Sequence, residues 1–169
     1  INNAGVGELA NMADSDRPTQ TRMVDLNCRA ATAMIMAVLP YMGAGCGIIN
    51  IASIAAFAPN ARMTVYSSTK AYVLSLSRGL RMELKPRRIN VLAVCPGPMA
   101  TEFLEVAGIT GCSQTFERLP YCNAERVAAG ALRANRRGRG VYTPRLFFKF
   151  YRLVAKVLPH DWVMHWCRT

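Results

Sequence analysis

IINIASIAAF at residues 48–57 and TVYSSTKAYVLSLSRGLRMEL at residues 64–84 are the two stretches that decide the fold. The first begins as an apolar, β-branched run and ends at Ser53, which is the pattern of a strand buried on both faces. The second has apolar residues at helical spacing and ends before Pro86. A buried strand followed by a long helix predicts one unit of an α/β fold.

The same alternation of strands and helices extends over the rest of the chain. Residues 1–5 resemble the end of a strand, and a helix is predicted from Asp16, a good N-terminal cap, with Pro18 in its first turn. Alternation of this kind predicts a parallel sheet with helices on both faces. The remaining predicted elements are a strand at 89–95, an irregular stretch at 98–122, a helix at 123–138 capped by Asn123, a short strand at 140–144 and a last helix at 145–159.

Length and composition fit one domain with a core of its own. The chain has 169 residues, of which 51% are hydrophobic, and this excludes a globally disordered protein. No uninterrupted apolar run reaches the roughly 18 to 20 residues that cross a bilayer. No signal-peptide pattern opens the sequence. We therefore expect a cytoplasmic protein without a membrane-spanning helix.

The formal net charge of +11 is unevenly distributed. Residues 126–169 hold ten of the 21 basic residues but one of the ten acidic residues, Asp161. Such a patch indicates anionic partners, namely lipid headgroups, a phosphorylated cofactor or nucleic acid, or else an ordinary solvated surface. Because no nucleic-acid recognition motif accompanies the charge, we expect no nucleic-acid partner.

The cysteines do not form a metal-binding pattern. The sequence has no CxxC pair and no cluster of Cys and His at metal-ligand spacing, so no metal site is predicted. Several cysteines lie in apolar segments, which favours reduced, buried thiols. The six are Cys28, Cys46, Cys95, Cys112, Cys122 and Cys167.

Tyr66 and Lys70 are the first candidates for chemistry. Residues four apart lie on one face of a helix, so both side chains project together near its N-terminus. A neighbouring ammonium and the positive end of the helix both favour the phenolate, and we expect them to lower the pKa of Tyr66. Ser53, at a strand end, could bond to the same substrate oxygen. The alternative is an ordinary amphipathic helix, since tyrosine and lysine four apart are common.

Three further motifs decide between these interpretations. Asn2-Asn3-Ala4-Gly5 opens the chain, Asn27 lies in the predicted helix, and Pro96-Gly97 begins a PGPMAT segment that ends at Thr101. Ser53 precedes Tyr66 by thirteen residues. In this order and spacing, the pattern resembles the short-chain dehydrogenase/reductase family from Ile1 to about Tyr142. The family often has a second serine where this chain has Ala52, but that serine is usually not catalytic.

The resemblance implies a role for each matched residue. Tyr66 would transfer the proton, Lys70 would lower the pKa of Tyr66 and hold the nicotinamide ribose, and Ser53 would position the substrate oxygen. Asn27 would hold a water that links Lys70 to solvent. The residues implied to border NAD(P) are Asn3, Ala4 and Gly5 near the adenosine, Pro96 and Gly97 near the nicotinamide, and Thr101 near its carboxamide or the pyrophosphate.

The resemblance also shows what this sequence lacks. The family begins with a strand and a T-G-x-x-x-G-x-G loop that holds the pyrophosphate, and no such loop is present. By this comparison, residues 1–144 form the C-terminal portion of a Rossmann-type doubly wound parallel sheet, strands four to seven with flanking helices. The chain is therefore expected to be N-terminally truncated, and its activity alone is in doubt.

Residues 145–169 form a second region, an amphipathic basic and aromatic tail. Arg145, Lys149, Arg152 and Lys156 follow at steps of four, three and four on one side of the last helix, and the other sides are apolar. This pattern indicates a helix that lies on a membrane surface. The alternatives are docking on a missing part of the protein or on a second subunit.

The sequence thus predicts an NAD(P)-dependent oxidoreductase that interconverts an alcohol and a ketone. NADPH-linked reduction of an apolar or lipid-like carbonyl compound is favoured, with residues 102–122 as a lid or a plain surface loop. The family often forms homo-oligomers through its two long helices. The alternative is a catalytically inactive remnant that acts as a binding or dimerisation module.

Overall fold

The computed structural model describes residues 1–166, without the side chains of Gln114 and Trp166. Three parallel strands form its sheet in the order β1 (Gly47–Ile51), β2 (Asn90–Val94) and β3 (Val141–Tyr142). Asn2 lies along the free side of β1, where its N–H donates to the Ile49 carbonyl at 2.9 Å and its carbonyl accepts from Ile51 at 3.0 Å. The predicted strand end at residues 1–5 is therefore a bridge to β1.

The predicted helix from Asp16 is present but is not regular. Helix α1 (Arg17–Val24) begins where the Thr19 N–H donates to the Asp16 carboxylate at 2.9 Å, which confirms the predicted cap. A π-helical turn, Asp25–Ala30, separates α1 from α2 (Ala31–Val38). A 3₁₀ turn at Leu39–Tyr41 ends the helix. Single π turns of this kind are frequent at functional sites, and this one contains Asn27.

A helix packs on each face of the sheet. Because side chains alternate along a strand, Leu92 of β2 packs with α6 (Ala124–Arg136), whereas Ala93 packs with α3 (Thr64–Leu84). Asn123 caps α6 by accepting from the Arg126 N–H at 2.8 Å, as predicted.

The stretch predicted as irregular contains two short helices. They are α4 (Glu102–Val106) and α5 (Gln114–Arg118). Gly108 and Gly111 between them have φ values of 65° and 73°, a conformation that favours glycine. These helices are too short to produce a helical period of apolar residues, so the sequence did not predict them.

The last two helices, α7 (Leu146–Val157) and α8 (His160–Trp166), pass the end of the sheet. Phe148 of α7 packs among residues on the α6 side of the sheet, whereas Ala155 packs on the α3 side. Helix α7 therefore runs past the carboxyl ends of the strands from one face to the other.

The expectations for cysteines and for a membrane span need correction. Cys95 and Cys122 are buried thiols, but Cys46 and Cys112 are exposed because they lie in turns; Cys167 is outside the described residues.

The continuous helix Arg17–Tyr41, with a mean hydropathy of 1.2, is long and apolar enough to cross a membrane by length and composition alone. Counting uninterrupted apolar runs missed it, because scattered polar residues break the run without lowering the average much. Core helices of soluble proteins pass the same test.

Candidate active site

The predicted catalytic side chains meet at the carboxyl ends of β1 and β2. Ser53, Tyr66 and Lys70 line one cavity of about 810 Å³. This is the edge where ligands bind in open parallel sheets. The other predicted site residues that line the cavity are Asn3, Gly5, Pro96, Gly97 and Thr101, and Ala4 is exposed beside them.

Tyr66 lies in the first turn of α3 and is 8% exposed. Burial raises its pKa to about 12, and a hydrogen bond with Ser53 acts in the opposite direction without cancelling that rise. The sequence prediction of a lowered pKa is therefore wrong for this arrangement. Removing a phenolate from water costs more free energy than its neighbours return.

Lys70 follows one turn later on the same face of α3 and is 5% exposed. Its ammonium donates to the Ile51 carbonyl at 2.9 Å and lies 5.7 Å from the centroid of the Tyr66 ring. Burial lowers the pKa of Lys70 to about 8. The ammonium is thus anchored to the end of β1, and at neutral pH it still carries its proton.

Ser53 is held in extended backbone just after β1. Its hydroxyl accepts a hydrogen bond from the Ala55 N–H at 3.1 Å and caps a short 3₁₀ turn, Ile54–Ala56. The Ile54 N–H donates to the Pro96 carbonyl at 3.0 Å. This bond joins the serine turn to the Pro-Gly turn after β2, so the two motifs form one rim of the cavity.

Asn27 is 2% exposed and bonds to the N-terminal loop. Its side-chain oxygen accepts from the Val6 N–H at 3.0 Å, and its NH₂ donates to the Val6 carbonyl at 2.9 Å and to Thr69 Oγ1 at 3.0 Å. A Cβ on Gly5 would lie 3.1 Å from Asn27 Oδ1 and 3.2 Å from Lys70 Nζ. Asn27 therefore fixes the loop of residues 5–6 beside the lysine; its implied role in a water relay stays a prediction.

Gly97 is covered by an aromatic ring. A Cβ on Gly97 would lie 2.2 Å from two ring atoms of Phe148, a side chain with 0% exposure. Thr101 precedes α4 and is exposed. The Pro-Gly turn thus contacts α7 directly, and its border with a nicotinamide stays a prediction.

Sequence reasoning missed three side chains at this site. Thr69 receives the Asn27 amide and donates to the Tyr66 carbonyl at 2.8 Å. Phe103 of α4 stacks on Tyr66, and Phe148 packs on Gly97. Only Thr69 had a visible signal, because a threonine next to Lys70 lies on the buried side of a periodic helix. The two phenylalanines lie in segments without a recognisable motif.

Comparisons with known proteins identify the family. A family model described as short chain dehydrogenase matches residues 1–111. Short-chain dehydrogenase PC-15 of Penicillium crustosum is 33% identical over 155 residues, which cover 86% of this chain and 54% of that protein. The chain spans about half the length of the curated relatives that it matches.

Solved structures give the same result. A short-chain dehydrogenase from Sphingobium yanoikuyae in complex with NADPH is 31% identical, with a TM-score of 0.77 over 98% of this chain and 63% of that one. The bulky-bulky ketone specific alcohol dehydrogenase from Comamonas testosteroni is 30% identical, with a TM-score of 0.70 over 94% of this chain and 62% of that one. The chain therefore has a Rossmann-type α/β fold and belongs to the short-chain dehydrogenase family.

Proposed function

We propose that this chain supplies the catalytic part of an NAD(P)-dependent oxidoreductase that interconverts an alcohol and a ketone. The observation that carries the proposal is that Ser53, Tyr66 and Lys70 line one cavity at the carboxyl edge of the sheet. In the same proposal, the Asn2 segment and β1 to β3 correspond to strands four to seven of the complete doubly wound sheet.

Tyr66, Ser53 and Lys70 each have a separate role in the proposed proton transfer. A phenol with a pKa of about 12 is protonated at neutral pH, so Tyr66 is ready to donate a proton to a carbonyl oxygen and favours reduction. Ser53, which hydrogen-bonds with Tyr66, holds the same oxygen in place. The Lys70 ammonium stabilises the negative charge that remains on the phenol oxygen. The nicotinamide cofactor supplies the hydride when bound.

Several residues fit a dinucleotide beside this set. Gly5 gives close access to Lys70 Nζ, because its missing side chain leaves the backbone beside the ammonium. In our proposal Lys70 holds the ribose hydroxyls, Asn3, Ala4 and Gly5 border the adenosine, and Pro96, Gly97 and Thr101 border the nicotinamide end. We favour NADP over NAD, since the similar dehydrogenase from Sphingobium yanoikuyae is in complex with NADPH.

The substrate is proposed to be a bulky, apolar or lipid-like ketone. The side of the cavity away from the sheet is formed by apolar side chains of the α4–α5 segment, among them Leu104, Ile109 and Leu119. Apolar walls of this kind select by size and shape rather than by hydrogen bonds. The similarity to a bulky-bulky ketone specific enzyme supports the same substrate class.

Steady-state kinetics on the protein that contains this chain would test the proposal. We expect NADPH to be oxidised in the presence of a bulky aryl ketone, and expect acetone to be a much poorer substrate. Comparison of NADPH with NADH under the same conditions tests the cofactor preference. Absence of turnover with every ketone and both cofactors would favour the inactive, dimer-forming remnant.

We also propose a homo-oligomer formed through α2 and α3. These helices carry apolar side chains that are exposed in the single chain, a surface that self-association would bury. Sedimentation equilibrium tests this: charged substitutions at Met36 and Met82 should shift the protein towards monomer. The exposed apolar residues are Met34, Met36, Val38, Tyr72 and Met82.

A peripheral contact with anionic membranes is the last part of the proposal and would place the cytoplasmic protein at a membrane surface. On α7, Leu146, Phe150, Leu153 and Val157 form an exposed apolar stripe next to the basic side chains at 145, 149, 152 and 156. Basic residues near such a surface contribute about 1 kcal/mol each, and salt screens this term. Vesicle co-sedimentation of the wild type and of a Phe150→Ser, Leu153→Ser double variant, at low and high salt, tests it, because both side chains are exposed whereas Phe148 and Ala155 of the same helix belong to the core. Equal binding of both proteins would mean that the stripe packs against protein.

A further inference from the structure

Phe103 of α4 lies directly against the Tyr66 ring. The two ring centroids are 5.5 Å apart and the planes are tilted by 44°. Centroid distances of this size are typical of favourable aromatic pairs. Phe103 comes from the segment that follows the Pro-Gly turn, whereas Tyr66 comes from α3. The pair therefore joins the apolar wall of the cavity to the proton donor.

Gly7 lets the backbone of the N-terminal loop pass close to both rings. A Cβ on Gly7 would lie 2.7 Å from Phe103 Cζ and 3.1 Å from Tyr66 Cδ2. The N-terminal loop therefore passes both rings at van der Waals distance. The Leu9 N–H also donates to the Ala107 carbonyl at 2.9 Å, which ties this loop to the end of α4. The N-terminal loop, α3 and α4 thus together fix the position of the Phe103 ring.

We propose that Phe103 is a positioning residue for Tyr66: its ring sets the direction of the phenol and separates it from water in the cavity. The inference rests on the proposed function as far as the catalytic role of Tyr66 is concerned. The ring contact and the separation of the phenol from water are properties of this chain and can be measured without any enzyme activity.

The proton affinity of Tyr66 reports on this shielding. Burial is the main cause of the raised pKa of Tyr66, so admitting water should bring the value back towards the ordinary value of about 10. Ser53 hydrogen-bonds with the phenol, and the Lys70 ammonium lies 5.7 Å from the centroid of its ring. Other polar residues that line the same cavity are Asn3, Asn60, Thr101, Glu102 and Thr115. None of them is changed by a substitution at Phe103.

NMR titration of isotope-labelled tyrosine in the 169-residue chain tests the shielding. The Tyr66→Phe variant identifies the signal. We expect Phe103→Leu to lower the pKa of Tyr66 by about one unit. Phe116→Leu is the matched control, because Phe116 packs against the same apolar cluster and loses the same volume. Equal titration in both variants and the wild type would overturn the proposal.

Kinetics in the protein that contains this chain add a second readout. A misdirected phenol should lower kcat about tenfold and leave KM nearly unchanged, whereas Phe116→Leu should act mainly on KM. Equal changes in the two variants would contradict the positioning role. Failure of the proposed function looks different: the wild type would then show no turnover while the titration shift at Phe103→Leu persists.

Discussion

The two sides of the cavity are built by different means. On the sheet side, the buried Ser53 and Lys70 line the cavity and hydrogen-bond to the backbone of Ala55 and Ile51. The buried Asn27, outside the lining, bonds to the backbone of Val6. On the outer side, the α4–α5 segment and α7 contribute apolar side chains, and two ring pairs, Tyr66–Phe103 and Phe147–Phe148, lie there. Hydrogen bonds are directional and fix the positions of the polar side chains, whereas apolar contacts determine the shape of the cavity. The Tyr66–Phe103 contact joins the two sides, so in our proposal a change in the apolar wall also affects the proton donor.

The largest loss of stability is expected from a substitution at Gly97, where the two sides of the cavity are in contact. Gly97→Ala would place a methyl group 2.2 Å from the ring of Phe148, which is 0% exposed and packs in the core. We expect the free energy of unfolding to fall by about 3 kcal/mol, as for overpacked cores. Urea denaturation measures this. Gly43→Ala is the control, because a Cβ there meets nothing within 4 Å, and an equal loss in both would contradict the packing account.

On the hydrogen-bonded side, Asn27→Ala should cost about 2 kcal/mol. The substitution leaves the part-buried N–H and carbonyl of Val6 and the buried Thr69 hydroxyl without the Asn27 side chain, and unpaired buried groups carry such a penalty. Thermal unfolding compared with Asn11→Ala, an exposed asparagine, separates this effect from a general loss of amide groups. If both variants unfold alike, the loop of residues 5–6 is held by other contacts.

The burial of Lys70 predicts a pH dependence of stability. Its folded-state pKa of about 8 lies below the value of 10.5 for an unperturbed lysine. Between these values the unfolded chain binds more protons, so the contribution of Lys70 to stability rises with pH. The raised pKa of the buried Cys95 thiol acts in the opposite direction above about pH 9, so the quantity to compare is the slope of stability against pH. We expect this slope between about pH 8 and 10 to be less positive in Lys70→Met than in the wild type, whereas Lys85→Met, at an exposed position, should match the wild type. The same slope in Lys70→Met and in the wild type would mean that the ammonium is not desolvated.

The smallest effect is expected on the outward face of α7. Phe150→Ala should change the free energy of unfolding by less than about 0.5 kcal/mol, because the ring is 68% exposed. The same substitution should weaken vesicle binding if the stripe contacts lipid. A large loss of stability would show instead that another part of the protein covers this face.

The hydrogen-bonded side was the part that the sequence predicted well. The Tyr66–Lys70 spacing, the strand before Ser53 and the caps at Asp16 and Asn123 all follow from local rules and were found in place. The protonation of Tyr66 was predicted in the wrong direction. A pKa depends on desolvation by the whole surrounding structure, which neighbours in sequence do not reveal.

The apolar side was predicted only in outline. Helices α4 and α5 are too short to produce a periodic pattern, and the pairing of Phe148 with Gly97 joins segments that are distant in sequence. The π turn around Asn27 also has no sequence signature. Each of these features depends on which surfaces meet after the sheet has formed.

Turnover of a bulky ketone by the Tyr66→Phe variant tests the central claim most directly. The substitution removes one hydroxyl from a buried ring, and positioned proton transfer contributes about 10²- to 10⁴-fold to rate. In the protein that contains this chain, we expect kcat to fall at least a hundredfold while NADPH affinity, measured by calorimetry, stays within about twofold. Retention of more than about a hundredth of the wild-type kcat would contradict the role of Tyr66 as the proton donor.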